Sequence, residues 1–236
     1  MSITENVAVV RRQIAEAAIA AGRDPKEILL CAATKMNDAE AVREAIRAGV
    51  DICGENRVQE LLQKDAQNAY AGVPLHFIGR LQTNKVKYLV GRVDLIQSVD
   101  RLRLMEAINQ EACRKGIIQQ VLLEINIGRE ESKAGFLPEE LPEILEKATK
   151  MGNLFIKGFM AIPPISRNNG DNRKFFQEIY HLSVDITGKK YDNVSVDVLS
   201  MGMSNDYADA IAYGSTMVRV GTAIFGQRDY GRTHQD

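Results

Sequence analysis

The sequence predicts an α/β fold, a single closed (β/α)8 barrel of the TIM type with one additional N-terminal helix. Three observations predict it. Short apolar runs recur about eight times along the chain. Each is followed by small or polar residues and then by an amphipathic stretch of helical length. No linker, low-complexity tract or break in composition divides the chain. Alternating strands and helices imply parallel strands joined by right-handed crossovers. About eight such units in roughly 230 residues match a closed barrel better than an open doubly wound sheet, which usually has fewer strands. Residues 1–236 are therefore read as one domain, with 1–24 as the leading helix and 25–230 as the barrel.

The leading helix follows from Val7, Val10, Ile14, Ala17 and Ala18, which fall at helical spacing, with Ser2 or Thr4 to cap the start and Gly22 to stop it. Strands are expected at 28–33, 51–53, 75–78, 95–99, 120–125, 154–162, 194–199 and 217–220. The helices between them are expected at 39–48, 58–69, 82–90, 101–115, 137–150, 171–187 and 204–213. Two connections are longer than the rest, 128–136 after the fifth strand and 163–172 after the sixth. Both leave the C-terminal ends of their strands, so in a barrel they rim the mouth where sites lie.

The bulk properties narrow the function. With 45% hydrophobic and 26% charged residues the composition is that of an ordinary globular protein with one sizeable core. A net charge of −1 offers no field to capture nucleic acid or an anionic membrane, so small-molecule partners are favoured. Cys31, Cys53 and Cys113 are odd in number and widely spaced, the pattern of reduced thiols in the cytosol. The run from Val7 to Val10 is too short for a signal segment, and no later stretch approaches a membrane span. His76, His181 and His234 are too scattered to hold a metal, and none is expected.

The richest segment is LSMGMSNDYADAIAYGSTMVRVGTAIFG, from Leu199 to Gly226. Its two strands end in small residues: Ser200, Gly202 and Ser204 after the first, Gly221 and Thr222 after the second. Small residues let backbone N–H groups approach an anion, and a helix expected to open at Ser204 adds unpaired donors and the positive end of its dipole. Barrels commonly hold a phosphate between the loops after strands seven and eight, the two places these residues occupy. Taken singly, each glycine or serine would read as an ordinary tight turn.

Lys35 ends the first strand in ILLCAATK and shares a face with Cys31 and Ala33, small residues that leave space inside. Strand one neighbours strand eight in a closed barrel, so Lys35, Arg219 and the phosphate cradle share one rim. Arg219 alternates with Val218 and Val220 and points into the interior, where it needs a partner. An amine near another cation in a partly apolar pocket is expected to have a lowered pKa and to attack a carbonyl, making a Schiff base. Taken alone, Lys35 would read as a surface lysine. A cofactor with an aldehyde and a phosphate satisfies both halves: pyridoxal 5′-phosphate (PLP), as an internal aldimine on Lys35. Arg219, always charged and only a donor, would hold the pyridine nitrogen unprotonated and weaken the ring as an electron sink.

The segments AATK (32–35), GENRVQE (54–60), HFIGRLQTNK (76–85), SKAGF (132–136), KGFMAI (157–162), LSMGMSNDY (199–207) and GSTMVRVGTAIFG (214–226) resemble the pyridoxal phosphate homeostasis protein family, related to the N-terminal barrel of alanine racemase. The resemblance covers nearly the whole chain. It implies Lys35 as the cofactor lysine, Arg219 as the ring-nitrogen partner, Ser204, Gly221, Thr222 and Ser200 as phosphate ligands, and Asn56 and His76 as pocket walls. It also implies a monomer that holds PLP, hands it to PLP-requiring apoenzymes, and has no robust turnover.

Residue chemistry bears on the alternative of a PLP-dependent racemase. Racemisation wants bases on two faces of the cofactor, and Lys35 supplies one. In alanine racemase-like enzymes the second is a tyrosine from a partner subunit carrying a further domain, for which this chain, stopping at Asp236, is expected to have no room. Tyr207 and Tyr213, in the helix after the cradle, read as packing residues. A cofactor-free aldolase using Lys157 is the remote rival, in which Arg219 has no role. Lys133 and Lys85 are candidate gating lysines for cofactor transfer.

Overall fold

The computed structural model describes residues 1–164, 170–189 and 191–226. Eight parallel strands close into a barrel in chain order, each pairing with the next and the last returning to the first. The strands are β1 (Leu29–Ala33), β2 (Ile52–Glu55), β3 (Leu75–Phe77), β4 (Leu95–Val99), β5 (Gln119–Ile125), β6 (Leu154–Ala161), β7 (Val194–Ser200) and β8 (Met217–Val220). The helices are α1 (Ile3–Ala20), α2 (Ala39–Arg47), α3 (Val58–Asp65), α4 (Val86–Leu89), α5 (Leu102–Lys115), α6 (Leu141–Ala148), α7 (Arg173–Thr187), α8 (Tyr207–Ala212) and α9 (Thr222–Phe225).

Each expected strand is present, and the differences lie at element ends. β1 stops at Ala33, two residues short of Lys35, and β7 takes in Ser200. The helix expected to open at Ser204 begins at Tyr207, because Asp206 accepts the Met203 N–H at 2.7 Å and closes a tight turn first. The stretch 82–90 divides into a 3-10 turn, Thr83–Lys85, and the single turn of α4. Of the expected long connection 163–172, residues 165–169 lie outside the described residues, as do the expected barrel end at 227–230 and His234.

Two apolar layers hold the ring closed. Inside it, Cys31, Ile52 and Met217 form one cluster and Leu95, Leu122 and Met160 another, on the inward positions of their strands. Outside, the alternate strand positions meet the helices in a core that includes Leu61, Ile96, Leu104, Phe159 and Phe176. α1 covers the β1–β8 seam: Val7, Val10, Ile14 and Ala18 pack with Val218, Val220, Ile211 and Ile224. Its start is fixed by a capping box, in which Glu5 N–H donates to Ser2 Oγ at 3.1 Å and Ser2 N–H to Glu5 Oε2 at 2.8 Å.

The β6–β7 seam turns on Gly158, which sits at φ 141° where the register shifts between Ile156 and Gly158. A Cβ there would meet the Val198 carbonyl oxygen at 2.0 Å, so backbone would have to move. Gly158→Ala is expected to cost about 3 kcal/mol or more of unfolding free energy by urea titration, the sum of strain and a broken ladder. A loss under about 0.5 kcal/mol would show that the seam adapts freely.

Candidate cofactor site

Barrel closure pairs Cys31 with Arg219 and Ala32 with Val220, so the chains leaving β1 and β8 emerge side by side at the mouth. Lys35, in the turn beyond β1, lines a cavity of about 820 Å³ there. Asn56, the first residue after β2, and Ser204, Arg219, Gly221 and Thr222 line the same cavity. Two of the residues singled out from sequence do not. His76, expected as a pocket wall, lies mid-strand in β3 and is 6% exposed; Ser200, expected in the phosphate cradle, is fully buried at the end of β7.

These two belong to a hydrogen-bonded chain that crosses the barrel interior and ends on Arg219. Arg219 Nη1 donates to the Ser200 carbonyl and to Ser200 Oγ, both at 2.6 Å, and Nη2 to the Ala161 carbonyl at 2.9 Å. Ser200 Oγ then gives its own proton to Gln97 Oε1 at 2.7 Å. That fixes the Gln97 amide, whose Nε2 donates to His76 Nδ1 at 2.9 Å. His76 must therefore be neutral with its proton on Nε2, and burial enforces this by pushing its pKa down to about 4. The three bonds take three of the five guanidinium donors, leaving two for whatever the cavity holds.

The cradle itself is held against β8. Arg219 N–H donates to the Gly202 carbonyl at 3.0 Å, and Met201 N–H to the Met217 carbonyl at 3.1 Å. Gly202 sits at φ 91°, and a Cβ there would lie 2.9 Å from Tyr207 Cα and 2.6 Å from Ala210 Cβ, so the loop comes this close to α8 only with glycine. Asp206 Oδ2 accepts from Asn172 Nδ2 at 2.8 Å, tying the same turn to the start of α7. Opposite it, Gly221 and Thr222 open the single turn of α9, in which the Ile224 and Phe225 N–H groups both turn back to the Gly221 carbonyl at 2.9 Å.

Sequence reasoning missed Arg80 and Glu124, which also line the cavity, and Gln97 beneath it. Burial, with the charge of Asp100 adding to it, pushes the Glu124 carboxyl up to about 7, against the opposing pull of Arg219 and Arg80. Both Gln97 and Glu124 interrupt apolar strands, LIQSV and QQVLLEI, and a polar residue inside such a run was the available signal. Lys133 lines the cavity, donates to the Pro163 carbonyl at 3.2 Å and pairs with Glu130 at 2.8 Å; Lys85 does not line it. Lys157 lies away from the cavity in an ion pair with Asp197 at 3.1 Å, which removes the geometry the aldolase reading needs. Tyr207 is buried and donates to Gln13 Oε1, and Tyr213 lines a separate hollow with Tyr180. Among the described residues no helix is long and apolar enough to cross a membrane.

The model of the alanine racemase N-terminal domain family matches residues 2–229. A pyridoxal phosphate homeostasis protein of Aquifex aeolicus is 42% identical over 230 residues, covering 98% of this chain and 100% of its own. This chain belongs to the pyridoxal phosphate homeostasis protein family. Another member, from Escherichia coli K12, is 40% identical over 233 residues, covering 98% of each chain. The structure of PipY from Synechococcus elongatus with PLP bound is 30% identical, has a TM-score of 0.82, and covers 95% of this chain and 100% of that one. Alanine racemase of Clostridium difficile shares the barrel alone, at 15% identity and a TM-score of 0.71, covering 96% of this chain and 57% of the racemase.

Glu124 gives the homeostasis-family barrel a pH signature. Its folded pKa lies above its ordinary 4.5, so the folded state keeps a proton that the unfolded chain releases between pH 4.5 and about 7. Its contribution to stability therefore falls as pH rises through that window. The stability of Glu124→Gln relative to the parent is expected to climb by about 3 kcal/mol from pH 4.5 to 7.5 in urea titrations. Parallel curves for the two proteins would contradict the burial of this carboxyl.

Proposed function

We propose that this chain binds pyridoxal 5′-phosphate in the mouth cavity, attached through the Lys35 amine, and serves PLP homeostasis as a carrier without robust turnover. One observation carries the reading: Lys35, Arg219 and the Ser204 and Gly221–Thr222 loops line a single cavity. The solved relative with PLP bound and the names of the curated relatives support it. The residues fit the group. Asn56 Oδ1 is buried at the cavity wall without a hydrogen-bond partner, an acceptor that a polar ligand would complete.

Bound there, the cofactor supplies an aldehyde that an amine can capture and a conjugated ring that can take up electrons. Lys35 provides the amine. Ser204 and the N–H groups of Gly221 and Thr222 would hold the phosphate. Arg219 can only donate and stays charged, so it keeps a facing ring nitrogen without a proton. The Ser200 and Ala161 contacts fix the guanidinium in place for that task. A ring whose nitrogen carries no proton is a weak electron sink. That favours holding the cofactor over racemising an amino acid. The same reading takes the protein as a cytosolic monomer that passes PLP to apoenzymes, in keeping with the buried, unpaired Cys31 and Cys53.

The test is borohydride reduction of protein loaded with PLP, followed by peptide mapping. The pyridoxyl group is expected on Lys35, and Lys35→Ala should lose the label while still retaining PLP that dialysis removes slowly. A label on Lys133 or Lys157 in the parent would overturn the assignment.

A further inference from the structure

We infer that Lys64, held between Glu55 and Glu60, is a positioning residue for Lys35: the three charges form a buried cluster that fixes the backbone on both sides of the cavity lysine. The inference rests on Lys35 as the attachment site.

Lys35 stands one residue past the last bond to β2, Thr34 N–H to the Gly54 carbonyl at 2.9 Å, and its own carbonyl accepts from Asn37 Nδ2 at 3.0 Å. Other contacts take over, and they converge on its two neighbours. Thr34 Oγ1 donates to Glu55 Oε1 at 2.7 Å, and the Thr34 carbonyl accepts from Lys64 Nζ at 2.7 Å. On the other side, Met36 N–H donates to Glu60 Oε1. Lys64 Nζ joins the two halves, lying 2.6 Å from Glu55 Oε1 and 2.8 Å from Glu60 Oε1. Met36 sits at φ 62°, a strained conformation for a residue other than glycine that persists only when its surroundings impose it.

A cluster built for stability alone would look different. The side chains of Lys64 and Glu55 are 6% and 0% exposed, and removing such charges from water carries a desolvation penalty that well-packed apolar side chains avoid. Glu55 Oε2 is buried with no hydrogen-bond partner, so the cluster does not even satisfy its own atoms. Burial outweighs the adjacent ammonium and raises the Glu55 pKa. What these groups do accomplish is largely local: apart from the Tyr70 hydroxyl, which donates to Glu55 Oε1 at 3.1 Å, their bonds end on residues 34 and 36, and the residue between them lines the cavity.

Glu60 is the least buried of the three, at 18% exposed, and can be changed with the least damage. The comparison is between Glu60→Ala, which removes the acceptor for Met36 N–H, and Glu60→Gln, which keeps a carbonyl oxygen there. Three quantities are read: the rate at which saturating PLP is captured covalently, by absorbance and borohydride trapping; the dissociation constant of PLP in a Lys35→Ala background; and hydrogen exchange at the Met36 amide. For Glu60→Ala, capture is expected to slow about tenfold or more, since a small misplacement of a reacting group is costly. The noncovalent constant should stay within about twofold and the Met36 amide should exchange faster. Glu60→Gln should recover most of the capture rate. If Glu60→Ala does not fold, Glu60→Asn, too short to reach Met36, makes the same comparison. Capture at the parent rate in the folded variant, or equal slowing in Glu60→Ala and Glu60→Gln, would overturn the positioning role. No capture at Lys35 in the parent would instead overturn the reading beneath it, and this inference with it.

Discussion

The pairing of β1 with β8 is the constraint on which the rest of the site depends. It brings the first strand of the barrel against the last, in register from Leu29 with Met217 to Ala32 with Val220. Only that closure sets Lys35 beside Arg219 and the Gly221–Thr222 loop, since these groups lie at opposite ends of the sequence. α1 reinforces it from outside, where Val7, Val10 and Ile14 cover Val218 and Val220. The leading helix is thus part of the site's support, although it contributes nothing to the cavity wall.

Closure also creates a problem, because it buries a guanidinium. Arg219 is 5% exposed, and desolvation acts against its charge. The hydrogen bonds it makes go to neutral polar groups: two carbonyls, one hydroxyl, and behind the hydroxyl an amide and a neutral imidazole. Each donor in this chain dictates the orientation of the next, so Arg219 is fixed from His76 inward. A guanidinium held this way and aimed at the cavity is what the proposed contact with one ring atom requires.

Much of this was legible in the sequence because strand periodicity is strict. Arg219 between Val218 and Val220 had to point inward, and small residues after strands seven and eight marked the cradle. Depth inside the barrel was less legible. His76 and Ser200 fall in segments that resemble family motifs, but a motif does not say whether a side chain reaches the mouth or stops a layer below. The charges behind Lys35 were hidden for another reason. Glu60 and Lys64 stand four apart on a helix, the commonest surface decoration there is, and only the packing of α3 on the barrel reveals Lys64 as buried and Glu60 as half-buried. Nor could the sequence show that Asp206 would close a turn before α8 and delay its start.

The central claim is geometric: one molecule must touch chain from both ends of the barrel sequence at once. A crystal structure of the protein grown with PLP tests it most directly. Continuous density is predicted from Lys35 Nζ to the ligand, with the ring nitrogen facing Arg219 and the phosphate between Ser204 and the Gly221–Thr222 loop. Density for the phosphate away from those loops, or for the ring joined to a different lysine, would contradict it.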